Sequence, residues 1–88
     1  MYVIGGDGTH RGINALIERS IERDIVISFA AVPKTIDNDI PLIDYSFGFH
    51  TSVEVASTMI DAALVSAKSH KHGIGIVKLM GRYAGFIA

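Results

Sequence analysis

Two carboxylates, a lysine and a hydroxyl lie within one short polar stretch of the sequence, residues 33–41. Asp37 and Asp39 are two residues apart, and Lys34 and Thr35 come just before them. A carboxylate can accept a proton or bind a divalent cation, and a lysine or hydroxyl can stabilise a developing anion. The alternative interpretation is a turn rich in Asp and Asn, whose carboxylates bond only to nearby backbone amides.

A glycine-rich motif, GGDGT at residues 5–9, follows a short apolar segment at residues 1–4. Glycines permit close backbone approach, so amides at the start of a following helix can receive a phosphate. Asp7 would repel that phosphate unless a cation lay between them. Magnesium resolves the conflict because it binds one or two carboxylates together with phosphate oxygens. A plain glycine turn with an Asp cap is the alternative.

The apolar periodicity predicts alternating strands and helices. We expect Thr9 to cap the first helix and the second strand to be buried on both faces. The predicted order is strand 1–4, helix 11–23, strand 25–32, helix 50–69, strand 74–79, a turn at 80–85 and the start of a third helix. This β-α-β-α-β-α order predicts an α/β fold, a Rossmann-like three-layer fragment with a parallel sheet and right-handed crossovers.

A parallel sheet would gather the three loops that follow its strands at one edge, where open α/β sheets bind ligands.

The composition excludes several classes of partner and site. The net charge is −1 and there is no basic block, so neither a nucleic acid nor an acidic membrane is expected as a partner. There is no cysteine, which excludes disulfides and thiolate metal sites. We expect a soluble cytoplasmic protein, of which these residues form a piece.

Three motifs, GGDGT, PKTIDND and MGRYAG, occur in this order, and together they resemble the phosphofructokinase family. The resemblance runs from Val3 to Ala88. GGDGT alone also occurs in NAD kinases and in diacylglycerol and sphingosine kinases, whereas TIDND followed by a GF-x-T helix and MGR is characteristic of phosphofructokinases. The resemblance implies that residues 1–88 are a partial phosphofructokinase catalytic domain, truncated at both ends.

The resemblance also implies a role for each motif in transferring a phosphoryl group to fructose 6-phosphate. Asp37 would be the general base for the 1-hydroxyl of the sugar, with Thr35 donating to the transferring group and Lys34 neutralising its charge. Asp7 would organise magnesium, and Asp39 would support that site or the base. The resemblance implies that the nucleotide is bound by Gly6, Gly8 and Thr9. It implies that the sugar phosphate is bound by Thr35, Asp37, Met80, Gly81 and Arg82. For Arg82, the alternative is a surface cation.

The phosphoryl donor is indicated by two positions. Pyrophosphate-dependent relatives typically have Asp at the position of Gly8 and Lys at that of Lys34, whereas typical bacterial ATP-dependent enzymes have Gly at both. Gly8 with Lys34 resembles the ATP-using plant and protist branch. A carboxylate at position 8 would crowd and repel the α-phosphate of a nucleotide. ATP is therefore the expected donor and Mg²⁺ the expected cofactor, in a glycolytic enzyme whose full-length form is a homo-oligomer.

Alternative functions are a pyrophosphate-dependent phosphotransferase, a non-catalytic phosphate-binding or assembly fragment, and an NAD or lipid kinase.

Three positions depart from the residues that relatives have there. His50 stands where many relatives have Asp, and Ser52 where Ala is usual. His50 is either silent or changes the charge near the site. Gly73 stands where bacterial relatives place an Arg that reaches into a neighbouring subunit's sugar site.

Overall fold

Two short strands pair in parallel at the beginning of the fold. The computed structural model describes all residues from Met1 to Ala88. Strand β1 (Tyr2–Gly5) lies beside strand β2 (Ala30–Pro33), with Tyr2 opposite Ala30 and Gly5 opposite Pro33. Helix α1 (Asp7–Glu22) makes the crossover that a parallel pair requires. The prediction of an α/β fold with parallel strands is confirmed.

Helix α1 begins at Asp7, four residues before the predicted start. Thr9 is therefore inside the first turn, and the prediction that it caps the helix is wrong. The N-cap is Gly6, whose extended backbone (φ −90°, ψ −162°) lets the chain pass from strand to helix with no spacer. Ile13 anchors α1 against the sheet and is only 5% exposed.

Strand β2 is shorter than predicted, since the segment from Ile25 to Phe29 precedes it as irregular backbone. The expectation that both faces would be buried is also wrong, because Val26 is 100% exposed. Only the four residues opposite β1 pair with another strand. The apolar run had indicated a longer strand because β-branched residues favour extended structure wherever a neighbouring strand covers them.

Helix α2 (Phe49–Lys68) confirms the second predicted helix to within one residue at each end. It buries Ala56 but contacts neither strand nor α1. The connection from β2 to α2, residues 34–48, contains what we term the aspartate loop (residues 34–47). The last part of this loop returns to the end of β2, where Phe47 forms an isolated parallel bridge with Lys34.

The segment 74–79 does not form the predicted third strand, and no third helix occurs within residues 1–88. These residues instead run back along α2, where Gly73, Gly75 and Val77 face Ala63 and Ala67 across a shallow cavity. A strand needs a partner to receive its backbone hydrogen bonds, and α2 offers none. The third layer is therefore not assembled, and the molecule extends 69 Å along its longest axis and 18 Å across.

Candidate active site

One polar cavity of about 540 Å³ lies where the three motifs meet, a volume within the usual range for small-molecule sites. Its walls come from the first turn of α1, from the aspartate loop and from the arginine loop, which we define as residues 80–85. The lining residues are Gly6, Asp7, Gly8, Arg11, Thr35, Asp37, Asp39, Arg82 and Tyr83. Tyr83 is the one hydrophobic member of this set. The predicted convergence of the three loops is thus present although the third strand is not.

The first wall is the N-terminus of α1. No side chain caps this helix, so the amides of its first turn have no intrahelical acceptor and are available to an anion. Gly6 brings the turn close to the aspartate loop: a Cβ added at Gly6 would lie 3.3 Å from Cβ of Thr35. Such a distance is tighter than ordinary van der Waals contact. A glycine at position 6 therefore allows the two loops to share one cavity.

Asp7 and Arg11 form an ion pair one helical turn apart, with 3.0 Å between Asp7 Oδ2 and Arg11 Nε. The Arg11 side chain is 80% exposed and that of Asp7 41%. Solvent screens a pair this open, so it holds the two groups only weakly. Both groups are consequently free to turn toward a ligand that carries phosphate or a divalent cation.

The aspartate loop presents Asp37 from a half-buried position and Asp39 from an exposed one. The backbone N–H of Asp37 donates to Oγ1 of Thr35 over 3.1 Å, which folds the two residues into a tight turn. Because Oγ1 acts as an acceptor in this bond, the hydroxyl proton of Thr35 remains available for donation into the cavity.

The arginine loop contributes Arg82 and Tyr83 to the cavity. Gly81 turns the chain immediately before them with a positive φ of 130°, a conformation that side chains rarely adopt. Met80 lies on the other side of this turn and borders a separate cavity against α2, together with Leu79 and Ile87.

Four of the predicted site residues lie outside the cavity lining: Thr9, Lys34, Met80 and Gly81. Thr9 packs over Gly5, where an added Cβ would overlap its side chain. Lys34 is exposed beside the cavity, next to Thr35 in the chain. The binding and catalytic roles expected of these four residues therefore stay predictions.

The charge of the cavity favours a phosphate ligand that carries a divalent cation. Three carboxylates and two guanidinium groups line it. No three His, Asp or Glu side chains of the chain converge closely enough to hold a metal by themselves. Mg²⁺ commonly uses only one or two carboxylates and completes its octahedron with waters and substrate phosphates. The all-oxygen donor set of Asp7 and Asp39 fits that mode of binding.

Sequence reasoning did not single out Arg11 or Tyr83. The signal for Arg11 was its spacing of four residues from Asp7, which places the two on one face of any helix that includes both. The predicted helix began at Arg11, so this relation was not apparent. Tyr83 follows Arg82 directly, and its apolar ring gave no indication of a polar site.

Two of the noted departures can now be placed. His50 packs against Tyr45 with the two rings tilted by 41° and 4.6 Å between ring centroids, and it borders a different cavity from Asp37. Gly73 lies so close to the carbonyl of Ala67 that an added Cβ would overlap it. The turn after α2 therefore has no room for the Arg of bacterial relatives unless the backbone shifts.

The cavity brings together free helix amides, carboxylates and two guanidinium groups, a combination that suits a ligand carrying phosphate. The family model described as phosphofructokinase matches residues 1–88. The chain belongs to the phosphofructokinase family. This confirms the resemblance carried by the three motifs.

Relatives from a plant and from protists match the whole chain. It is 57% identical over 88 residues to ATP-dependent 6-phosphofructokinase 1 of Arabidopsis thaliana, covering 19% of that protein. Identity is 51% to the ATP-dependent 6-phosphofructokinase of Entamoeba histolytica and 48% to that of Trypanosoma brucei brucei, with 20% and 18% of each covered. The chain thus spans about a fifth of the length of these relatives. None of its helices is long and apolar enough to cross a membrane.

Proposed function

We propose that the polypeptide carrying these residues is an ATP-dependent 6-phosphofructokinase, which transfers the γ-phosphoryl group of ATP to the 1-hydroxyl of fructose 6-phosphate. The observation that carries the proposal is the meeting of Asp37, Asp7 and Arg82 around one cavity. The plant and protist relatives support it, since the proteins that match the whole chain bear that name.

In this proposal Asp37 accepts the proton of the 1-hydroxyl as the oxygen attacks phosphorus. Phosphoryl transfer depends mainly on positioning and charge stabilisation, so a carboxylate that receives the proton late is sufficient. The free hydroxyl proton of Thr35 donates to the transferring group, and Lys34 rotates its flexible side chain toward the same oxygens. Arg82 holds the phosphate of the sugar through charge-assisted hydrogen bonds.

The amides of Gly6, Gly8 and Thr9 at the start of α1 receive phosphate oxygens of the nucleotide, as the free end of a helix does. Asp7 and Asp39 would hold Mg²⁺, which when bound neutralises charge on the phosphate chain. Asp7 must first exchange its pairing with Arg11, and the exposure of that pair makes the exchange inexpensive.

We further propose that these 88 residues work only within a longer polypeptide. Five of them are buried, which is too few to form a core. The radius of gyration is 19.2 Å, whereas a compact chain of this length has about 12 Å. The additional surface that a folded domain needs must come from other segments. Cytoplasmic location and homo-oligomeric assembly of that full-length protein are also part of the proposal.

The donor is tested at Gly8, where an added Cβ would meet no atom within 4 Å. We therefore expect a side chain at position 8 to be accommodated, so that its effect falls on the ligand. In the full-length protein we expect Gly8→Ala to keep most activity with ATP. We expect Gly8→Asp to abolish ATP use, because its carboxylate meets the α-phosphate.

The measurement is a coupled assay of fructose 1,6-bisphosphate formation with Mg²⁺ and either ATP or pyrophosphate. Turnover with ATP in the wild type, kept by Gly8→Ala and lost by Gly8→Asp, supports the proposal. Wild-type turnover with pyrophosphate alone would instead favour the pyrophosphate-dependent phosphotransferase. No turnover with either donor would overturn the proposed activity.

A further inference from the structure

Ser46 lies outside the three motifs and is nevertheless one of the most buried residues of the molecule, with 4% of its surface exposed. It comes at the end of the aspartate loop, three residues before α2 begins. A buried hydroxyl is retained at low cost only where it is hydrogen-bonded. The partners of Ser46 therefore indicate what it holds in place.

Those partners lie on either side of Asp37. Oγ of Ser46 donates to the backbone carbonyl of Thr35 over 2.7 Å, and its backbone N–H donates to Oδ1 of Asn38 over 2.9 Å. Oγ is also 3.2 Å from Oδ1 of Asn38, but its single proton favours the shorter contact. One residue thus fixes the chain before and after Asp37.

Asn38 completes this arrangement. Its backbone has a positive φ of 51°, which Asn adopts more readily than most residues do. Its Nδ2 donates to the carbonyl of Asp44 over 3.0 Å while Oδ1 accepts from Ser46. The side chain of Asn38 therefore closes the loop on itself through two different atoms.

Ser46 and its neighbour Phe47 connect the loop to regular structure at both ends. The carbonyl of Ser46 accepts from the N–H of Phe49, the first residue of α2, over 3.2 Å. The N–H of Phe47 donates to the carbonyl of Pro33, the last residue of β2, over 3.1 Å. A displacement of Ser46 would therefore shift the rest of the loop.

The Asp37 carboxylate has no hydrogen bond or ion pair of its own; only its backbone N–H is bonded. Within these residues, the one restraint that hydrogen bonds place on this side chain is therefore the position of the backbone that bears it. We propose that Ser46 and Asn38 form a positioning clamp that fixes the backbone of residues 35–38 and thereby aims Asp37 at its substrate. This inference rests on the proposed function, in which Asp37 is the general base.

The test uses the full-length protein and the kcat of the ATP-dependent reaction. Ser46→Ala removes the bond to Thr35, and we expect kcat to fall about tenfold to a hundredfold, since small misplacements of a catalytic group have costs of this order. KM for ATP should stay within about twofold, because the nucleotide contacts of α1 are elsewhere. Ser46→Thr keeps the hydroxyl and should restore most of kcat.

The decisive comparison repeats Ser46→Ala in an Asp37→Asn background. If Ser46 acts through Asp37, Ser46→Ala should lower kcat in the Asp37→Asn background by less than about twofold, because the carboxylate that the clamp positions is already absent. Asn38→Asp keeps the acceptor for Ser46 but loses the donor to Asp44. Its effect on kcat should likewise be large with Asp37 present and small in the Asp37→Asn background. Ser57→Ala is the matched control, because its hydroxyl bonds only to the carbonyl of Val53 on the exposed face of α2.

All variants are assayed below the onset of thermal unfolding, so that a loss of folded protein is not read as a loss of kcat. An equal fall in both backgrounds, or none in either, would overturn the clamp while leaving the proposed function intact. Failure of Ser46→Thr to restore kcat would also count against it. If Asp37→Asn itself left turnover unchanged, the proposed function would fail, and the clamp with it.

Discussion

The aspartate loop and the arginine loop both reach the cavity, but they are held in very different ways. Hydrogen bonds of Asn38 and Ser46 cross the aspartate loop, and bonds of Phe47 and Ser46 tie it to β2 and α2. No hydrogen bond holds Arg82 or Tyr83, and Tyr83 is 96% exposed. The first loop is organised by its own polar groups, whereas the second has no such bonds around its arginine.

Under the proposed function, this difference follows from the kind of group each loop provides. A general base must be aimed to within a fraction of an ångström, which justifies a dedicated hydrogen-bond network. An arginine that binds a phosphate uses long-range charge and a flexible stem, so it tolerates a looser support. We therefore expect substitutions in the two loops to affect different kinetic constants.

The largest effect is expected for Asp37→Asn in the full-length protein. Loss of the general base should lower kcat by about 10² to 10⁴, the usual contribution of such catalysis. Steady-state kinetics with ATP measure it. Asp44→Asn is the matched control on the same loop, because Asp44 contributes its backbone carbonyl rather than its carboxylate to the hydrogen bonds. If Asp44→Asn lowered kcat as much as Asp37→Asn does, the effect would not be specific to the Asp37 carboxylate.

Arg82→Leu should act on substrate binding. Removing charge-assisted hydrogen bonds worth about 1.5 to 3 kcal/mol should raise KM for fructose 6-phosphate by about tenfold to a hundredfold, with a smaller change in kcat. Arg82→Lys should recover part of this, since it restores the charge but not the planar fork. Arg19→Leu, on the exposed face of α1, serves as the control and should leave KM unchanged. A change in kcat alone would argue against a binding role.

Gly81→Ala tests how the arginine loop is shaped. Its positive φ of 130° disfavours any side chain, so we expect a loss of about 1 to 3 kcal/mol in the free energy of unfolding. KM for fructose 6-phosphate should rise as well, because Arg82 follows directly. Urea unfolding and kinetics measure the two effects. Gly85→Ala meets no atom within 4 Å and has no positive φ, so it should be nearly neutral.

The smallest effect on stability is expected for Arg11→Ala, which removes the ion pair with Asp7. Both side chains are substantially exposed, and pairs of this kind contribute about 0.5 kcal/mol or less. Urea unfolding should therefore detect little change. A loss comparable to that of Gly81→Ala would show that the first turn of α1 is held more firmly than its exposure indicates.

The sequence by itself determined the features that depend on neighbouring residues. The extent of α2 follows from apolar residues at helical spacing, and its predicted bounds were confirmed to within one residue. The motif at residues 5–9 indicated a helix start with free amides, which the structure has at Asp7. Asp37 and Asp39 stood out because two carboxylates and a hydroxyl share one turn. All of these are local relations that propensity and spacing encode directly.

Only the tertiary structure decided what depends on a partner distant in the chain. The segments 25–29 and 74–79 have the composition of strands, yet neither pairs with a neighbouring strand. Arg11 and Tyr83 join the cavity because loops far apart in sequence meet. Ser46 gave no signal, since its importance lies in a bond to Thr35 across 11 residues. The pairing of strands and the partners of a buried hydroxyl are set by the surfaces that surround them, which local spacing does not specify.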